Sequence, residues 1–286
     1  MDLNMDLNPC LLKAEGVTKS YDGRTIIEDI SLSLREGELV SLLGLSGSGK
    51  TTLFHVLSGL IMPEKGRVRL RGEDITGKPG RISYMLQKDL LLEHKKVIDN
   101  TALPLVISGM KKKEARAKAS PLFAEFGLEG TQQLYPAQLS GGMRQRAALL
   151  RTYLSSMQNA GALTGPADRK QAGAGAFSQA QKAGQEGVAL LDEPFSALDT
   201  ITKGQIHTWY LEVMEKIRLS TLFITHDIDE AILLSDRICI LTGAPGKIRD
   251  EIRIVPDRRN RHDFNLTPEF LQYKRQILEI LARENG

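Results

Sequence analysis

The spacing of apolar positions changes along this chain, and the changes mark out its elements. Up to residue 45 short β-like runs recur: one ending at Tyr21, one over 26–34 and one over 39–43. The last is apolar and runs straight into glycines, as a buried strand feeding a turn does. Residues 50–60 then predict a helix, and 68–70 and 82–85 predict further strands, with Gly66, Gly72, Gly77 and Gly80 at the turns. Between 97 and 154 the spacing becomes helical, with good helix formers over 114–119 and apolar residues at helical intervals over 143–154. A strand at 188–191 follows, then a helix near 202–217, a strand at 221–225, a short helix from Asp229 and a strand at 238–241. A charged amphipathic helix over 268–284 closes the pattern. Strands alternating with helices predict a parallel α/β core, into which the helical block is inserted.

One stretch does not fit. Residues 155–187 hold eight Ala, six Gly and five Gln with few large apolar side chains. Such a composition cannot bury enough surface to offset chain ordering, so a flexible surface insert is expected. Its Ala and Gln content also suits a helical hairpin. The insert enters at the amino end of the 188–191 strand, whereas α/β sheets bind ligands at the carboxyl ends, so the nucleotide site is expected to tolerate it.

Composition adds limits. With 41% apolar and 26% charged residues the chain is an ordinary globular protein. A net charge of +3 gives no footprint for nucleic acid, and none is expected as a partner. Cys10 and Cys239 stand far apart, in no metal-ligand spacing, and are expected as packing residues rather than a disulfide. No run of 18 or more apolar residues could span a membrane, and the acidic, polar start MDLNMDLN is unlike a secretory signal. A cytosolic location is expected, with docking onto a membrane protein left open.

The chemistry begins at Gly44-Leu45-Ser46-Gly47-Ser48-Gly49-Lys50-Thr51-Thr52. Its core pattern, GxxxxGK[ST], would occur by chance in roughly one chain of this length in a hundred. Here it also sits between an apolar strand and a helix start, the context that gives the motif meaning. Glycines let backbone N–H groups converge on phosphate oxygens, and the helix N-terminus adds its positive dipole end. Lys50 is placed to reach the β- and γ-phosphates, and the Thr51 hydroxyl to meet Mg²⁺. At the end of the 188–191 strand stand Asp192 and Glu193, two carboxylates that are costly there unless they meet a cation or a substrate. Alone the pair suits a helix cap or a surface turn equally. Beside the phosphate loop, Asp192 is placed to hold Mg²⁺ and Glu193 to act as general base on a water.

The run Leu139-Ser140-Gly141-Gly142-Met143-Arg144-Gln145-Arg146 chooses among nucleotide hydrolases. With it, the chain resembles the ATP-binding subunits of ABC transporters over nearly its whole length. The resemblance implies a RecA-like P-loop core with an antiparallel β subdomain and a helical signature subdomain. The cassette would span 11–254, with the helical part near 90–154, and residues 255–286 would form an extension. Ser140, Gly141 and Gly142 at a helix start make a second anion site, with Gln145 beside them. Because Lys50 already serves one site, the second would serve a partner's ATP. The resemblance accordingly implies a two-fold homodimer sandwiching two ATP molecules between phosphate loop and signature.

Further residues match the family one by one. Tyr21 resembles the aromatic stacked on adenine, though alone it suits a half-buried strand residue. Gln87 resembles the glutamine that senses Mg²⁺ and water. Asp199, in Ser196-Ala-Leu-Asp199, resembles the loop touching the opposite protomer. His226 resembles the histidine that contacts the γ-phosphate. The remaining histidines, with Trp209, are expected as packing or satisfied polar residues.

Ala244-Pro-Gly-Lys-Ile248, Asp257-Arg-Arg, Phe264, Pro268-Glu-Phe and Gln87-Lys-Asp-Leu-Leu-Leu92 resemble the nitrate, taurine and aliphatic-sulfonate importers and their thiamine-precursor relatives. This implies an ATPase on the cytoplasmic face of a membrane, working with a permease and a solute-binding protein. The chain departs where that group has Pro-Trp and this sequence has Glu93-His94. An exporter ATPase and a soluble ABC ATPase are the alternatives. Ribosomal types carry two cassettes and DNA-repair types long heptad coiled coils, and this sequence has neither.

Overall fold

The computed structural model describes residues 9–161, 186–196, 200–217, 219–258, 261 and 263–283. In chain order the elements are β1 (Cys10–Tyr21), β2 (Arg24–Arg35), β3 (Leu39–Gly44), α1 (Lys50–Leu57), β4 (Lys65–Leu70), β5 (Glu73–Asp74) and β6 (Ser83–Met85). Helices α2 (Val97–Thr101), α3 (Leu103–Ile107), α4 (Lys112–Ala119), α5 (Leu122–Glu125) and α6 (Gly141–Gly161) follow. Then come β7 (Gly187–Asp192), α7 (Thr200–Lys216), β8 (Leu219–Thr225), α8 (Ile228–Leu234), β9 (Arg237–Thr242), β10 (Lys247–Arg253) and α9 (Pro268–Ala282). They group into two compact units. One takes the described residues up to Arg81, Leu190–Glu193 and those from Ser220 on; the other takes Ile82–Ala189 and Pro194–Leu219.

The first unit holds an antiparallel sheet of order β2-β1-β4-β5, the β subdomain expected from the sequence. In the larger sheet its strands follow the order β10-β9-β3-β8-β7. β3, β7 and β8 are buried at every residue, so they read as mostly apolar runs without an alternating polar face. β3 runs parallel to β8 and to β9, with Val40 opposite Leu222 and Leu42 opposite Cys239. β3, β7 and β8 end at Gly44, Asp192 and Thr225, so their carboxyl ends carry the candidate chemistry. β10, which pairs antiparallel with β9, has no counterpart among the expected strands. Its sequence, KIRDEIR, carries charges at five of seven positions, as suits an edge strand.

The C-terminal extension packs on this core. Leu43, Ala231, Ile232, Ile238, Ile240, Phe264, Phe270 and Ile277 share one buried cluster. Thr267 caps α9 by accepting from the Phe270 amide at 3.2 Å, and Phe270, Tyr273, Ile277 and Ile280 give the helix its inward stripe. Arg261 fastens the extension to α8. Its guanidinium donates to the carbonyls of Ile232 (3.1 Å), Leu233 (3.1 Å), Ser235 (2.6 Å) and Pro256 (2.9 Å). The first three are the acceptors a helix leaves unpaired at its carboxyl end. Burial lowers the Arg261 pKa to about 10, nearby Asp236 opposing the shift, and the group still carries its charge at neutral pH.

In the second unit α6 is the long element. It starts at Gly141 and continues past Leu154 to Gly161, which corrects the expectation of a loop from residue 155. The buried face simply continues: Ser156, Met157, Gln158 and Ala160 are inside, and the hydroxyls of Ser155 and Ser83 lie 2.9 Å apart. At the other end Gly187 already belongs to β7, where a Cβ would come within 2.4 Å of Ser156 Oγ. Residues 162–185, and with them both readings of the insert, lie outside the described residues, as does the expected end of the tail helix at Glu284. Trp209 packs as expected, edge-on to Phe126 and under Arg146. Of the cysteines, Cys239 is buried and its thiol pKa is pushed up by burial, but Cys10 is exposed rather than packed.

Replacing Arg261 with Ala strands three helix-end carbonyls. We expect a loss of about 2 kcal/mol, read as a melting temperature roughly 4–8 °C lower in thermal denaturation. An unchanged melting temperature would contradict this role.

Candidate functional site

The loop after β3 is shaped by close backbone contacts. Gly44 has no room for a side chain, since a Cβ would sit 2.2 Å from the Leu241 carbonyl oxygen. Gly49, at φ +91° before α1, would meet Ile27 at 2.5 Å. Ser48 Oγ donates to the Leu45 carbonyl at 2.9 Å. The Lys50 ammonium turns back and donates to the carbonyls of Gly44 (2.8 Å) and Leu45 (2.7 Å). Burial holds the Lys50 pKa below the ordinary lysine value, while the charges of Glu193 and Asp192 pull it back up. Leu45, Ser46 and Thr51 face solvent, Gly47 stands at φ +82°, and Thr52 is half-buried.

One contact was missed at the sequence level. Gly246 lies flush against the loop: a Cβ there would be 2.0 Å from the Ser48 carbonyl oxygen. Its amide donates to Ile26 O at 2.8 Å and its carbonyl accepts from Glu28 N at 3.0 Å. The Ala244-Pro-Gly-Lys stretch, noticed only as a group marker, thus braces the phosphate loop. A glycine after Pro245 was the available signal.

Across the sheet edge, Asp192 ends β7 almost fully buried. Glu193 takes φ +44°, a left-handed conformation uncommon for glutamate, and its amide donates to Ile224 O at 3.1 Å. That turn brings Glu193 Oε1 to 3.0 Å from His226 Nδ1, at the end of β8. Glu193 is largely shielded, and the imidazole is 60% exposed, so its remaining edge is open to a ligand. Lys50, Asp192, Glu193 and His226 therefore share the carboxyl edge of one sheet. Tyr21, at the end of β1, is exposed with the Lys19 ammonium 5.2 Å from its ring centre. The available metal donors in this unit, the Thr51 hydroxyl and the Asp192 carboxylate, are hard oxygens and fit Mg²⁺.

The second unit carries the other candidates. Ser140 and Gly141 are exposed and Gly142 half-exposed at the start of α6, and Ser140 Oγ accepts from Met143 N at 3.3 Å. Gln145 points inward, with its Oε1 unbonded, instead of joining them at the surface. Gln87 is exposed, and its Nε2 donates to Ser196 Oγ at 3.4 Å. Asp199 lies outside the described residues. The loop after Gln87 is tied to α6 by contacts that the sequence pattern did not reveal. Arg144 holds Asp89 at 2.8 and 3.1 Å and Glu93 at 2.7 Å, and Arg151 donates to the carbonyls of Asp89 and Leu90. Pairing with Arg144 keeps the Asp89 pKa low against burial, which pushes it up. Glu93, the departure from the group's Pro-Trp, is thus one end of an ion pair.

A strand–glycine loop–helix with a lysine inside it, facing a carboxylate pair and a histidine, defines a P-loop nucleoside triphosphatase cassette. Residues 27–158 match the ABC transporter family. The chain is 38% identical over 94% of its length to the formylaminopyrimidine import ATP-binding protein ThiZ of Halalkalibacterium halodurans, covering 93% of that protein. It is 34% identical over 91% of its length to the aliphatic sulfonates import ATP-binding protein SsuB 2 of Burkholderia cenocepacia, covering 85% of it. Among solved structures it resembles the dimeric post-hydrolysis state of the ATP-binding cassette MJ0796 bound to ADP and Pi. The TM-score is 0.63 at 25% identity, covering 86% of this chain and 100% of that one. The chain belongs to the ABC transporter family as an ATP-binding subunit. It is an ATPase, of the group that includes the ThiZ and SsuB proteins.

Because Gly246 abuts Ser48, Gly246→Ala is expected to push the phosphate loop out of shape and weaken ATP binding at least about tenfold in an equilibrium titration. Gly204→Ala, where a Cβ meets nothing within 4 Å, is expected to bind like the parent. Equal affinity in both variants would contradict the bracing contact.

Proposed function

We propose that the chain is the ATP-driven motor of an importer, working as a homodimer beneath a separate membrane permease supplied by a solute-binding protein. The observation that carries the mechanism is the 3.0 Å contact between Glu193 Oε1 and His226 Nδ1 on the edge that also presents Lys50. In this reading Lys50 leaves the carbonyls of Gly44 and Leu45 for the β- and γ-phosphates, exchanging neutral acceptors for charged ones. The N–H groups of the loop surround the phosphates at the start of α1, and Tyr21 lies under the adenine. Mg²⁺, held by Thr51, Asp192 and Gln87, would neutralise charge on the β- and γ-oxygens.

Glu193 takes a proton from the attacking water as the new oxygen–phosphorus bond forms. The bond from the γ-phosphorus to the bridging oxygen breaks, and ADP departs with that oxygen's electron pair. His226, positioned by Glu193, donates toward the γ-phosphate. Ser140, Gly141 and Gly142 bind the γ-phosphate of the ATP held by the other protomer, and Asp199 lies along the dimer seam. Gln145, being buried, supports the signature helix in this reading. No helix among the described residues is long and apolar enough to cross a membrane, consistent with a peripheral subunit on the cytoplasmic face. The names of the relatives favour small anionic or heterocyclic cargo, a sulfonate or a formylaminopyrimidine.

Glu193→Gln keeps the shape of the turn and removes the base. It should bind ATP as the parent does, lose turnover by about a hundredfold or more, and accumulate as an ATP-bound dimer in size-exclusion chromatography. Turnover at the parent rate would reject Glu193 as the base.

A further inference from the structure

His226 is held from behind by a bonded ring that none of the motifs explains. Glu230 is a buried carboxylate on the first turn of α8, a helix that also buries Ala231, Ile232 and Leu234. In the usual capping box a glutamate at this helix position reaches the backbone N–H of the cap residue directly. Here a hydroxyl stands between them. Thr225 Oγ1 donates to Glu230 Oε2 and, with its proton so committed, accepts from the Asp227 amide at 3.0 Å. Asp227 completes the ring by accepting from the amides of Asp229 (3.0 Å) and Glu230 (3.2 Å) through its own side chain. Thr225 and Asp227 are the two neighbours of His226, so the ring clamps its backbone on both sides. The imidazole, by contrast, is 60% exposed and meets the Glu193 carboxylate.

We propose that Glu230 is a positioning residue for ATP hydrolysis. Its carboxylate orients the Thr225 hydroxyl, the hydroxyl fixes the Asp227 amide, and this sets the direction in which His226 meets Glu193 and the γ-phosphate. The proposal rests on the reading of His226 given above. An isolated helix cap would affect stability alone; a positioning link predicts loss of turnover at unchanged ATP binding, passing entirely through His226.

The test compares Glu230→Ala, Glu230→Gln, His226→Ala and the double variant His226→Ala/Glu230→Ala in the full chain, by ATP turnover and by amide hydrogen exchange at Asp227. Glu230→Ala should lower kcat about tenfold with KM for ATP within about twofold, the scale of one hydrogen bond to a charged group. Glu230→Gln keeps an acceptor oxygen and should stay within about threefold of the parent. Glu230→Ala should speed exchange at Asp227, Glu230→Gln should not, and in the His226→Ala background Glu230→Ala should cost no further turnover. Parent-like kcat in Glu230→Ala, unchanged exchange, or a further loss in the double variant would overturn the proposal. If His226→Ala alone turns over like the parent, the role of His226 is rejected, while exchange at Asp227 still decides whether Glu230 holds the turn. Should Glu230→Ala not fold, Thr225→Val breaks the same link from the other side and is expected to give the same losses.

Discussion

The Lys50 side chain is buried, and its amine donates to the carbonyls of Gly44 and Leu45. That arrangement is possible only because the loop between them is wound tightly enough to face its own oxygens inward. The winding in turn requires close contacts that leave no room for a Cβ: Gly44 against the Leu241 backbone, Gly49 against the Ile27 side chain, Gly246 against the Ser48 backbone. Each of those partners comes from a different part of the chain, β9, β2 and the turn before β10. The pairing of β3 with β9 and the bridge between Ile27 and Gly246 bring them to one place. The shape of this loop is therefore not a property of its own motif; it is set by four segments that close on glycines with no room for a side chain.

The opposite rim follows a similar logic with polar groups. β7 and β8 end side by side through the Glu193 amide on Ile224 O, and this bond puts Glu193 next to His226. α8 then begins directly behind the histidine. Its amino end is closed by Asp227, Thr225 and Glu230, its carboxyl end by Arg261 of the extension. The extension packs Phe264, Phe270 and Ile277 on the cluster that includes Leu43, one residue before the phosphate loop begins. Residues far down the chain thus help to hold both rims of the candidate site.

Much of this was legible beforehand, for physical reasons. Strands buried on both faces are mostly apolar with no alternating polar face, so β3, β7 and β8 stood out, and a glycine loop before a lysine has few other uses. The β10 strand was not legible, because an edge strand carries charges where a central strand would carry Val or Ile. The length of α6 was underestimated because Ala, Ser and Gln at 155–161 look like loop composition, although small residues suit its close approach to Ser83 and Gly187. Gln145 sits in a motif that suggests exposure, but helical periodicity turns it inward. The ion pairs of Arg144 with Asp89 and Glu93 join residues about fifty positions apart, a spacing that no local pattern encodes. Gly246 could be seen as a turn glycine, but its contact with Ser48 depends on the sheet being assembled first.

The central claim is that one chain's phosphate loop works with another chain's signature. Mixing complementary inactive variants tests it directly. Lys50→Ala disables the phosphate loop and Ser140→Ala the signature, so each homodimer has two defective sites. In a mixed dimer one site combines both defects and the other has none. Equal mixing with free exchange should form about half mixed dimers and restore about a quarter of parental ATP turnover, each pair sharing two equivalent sites. Turnover in the mixture no higher than in either variant alone would contradict the shared site.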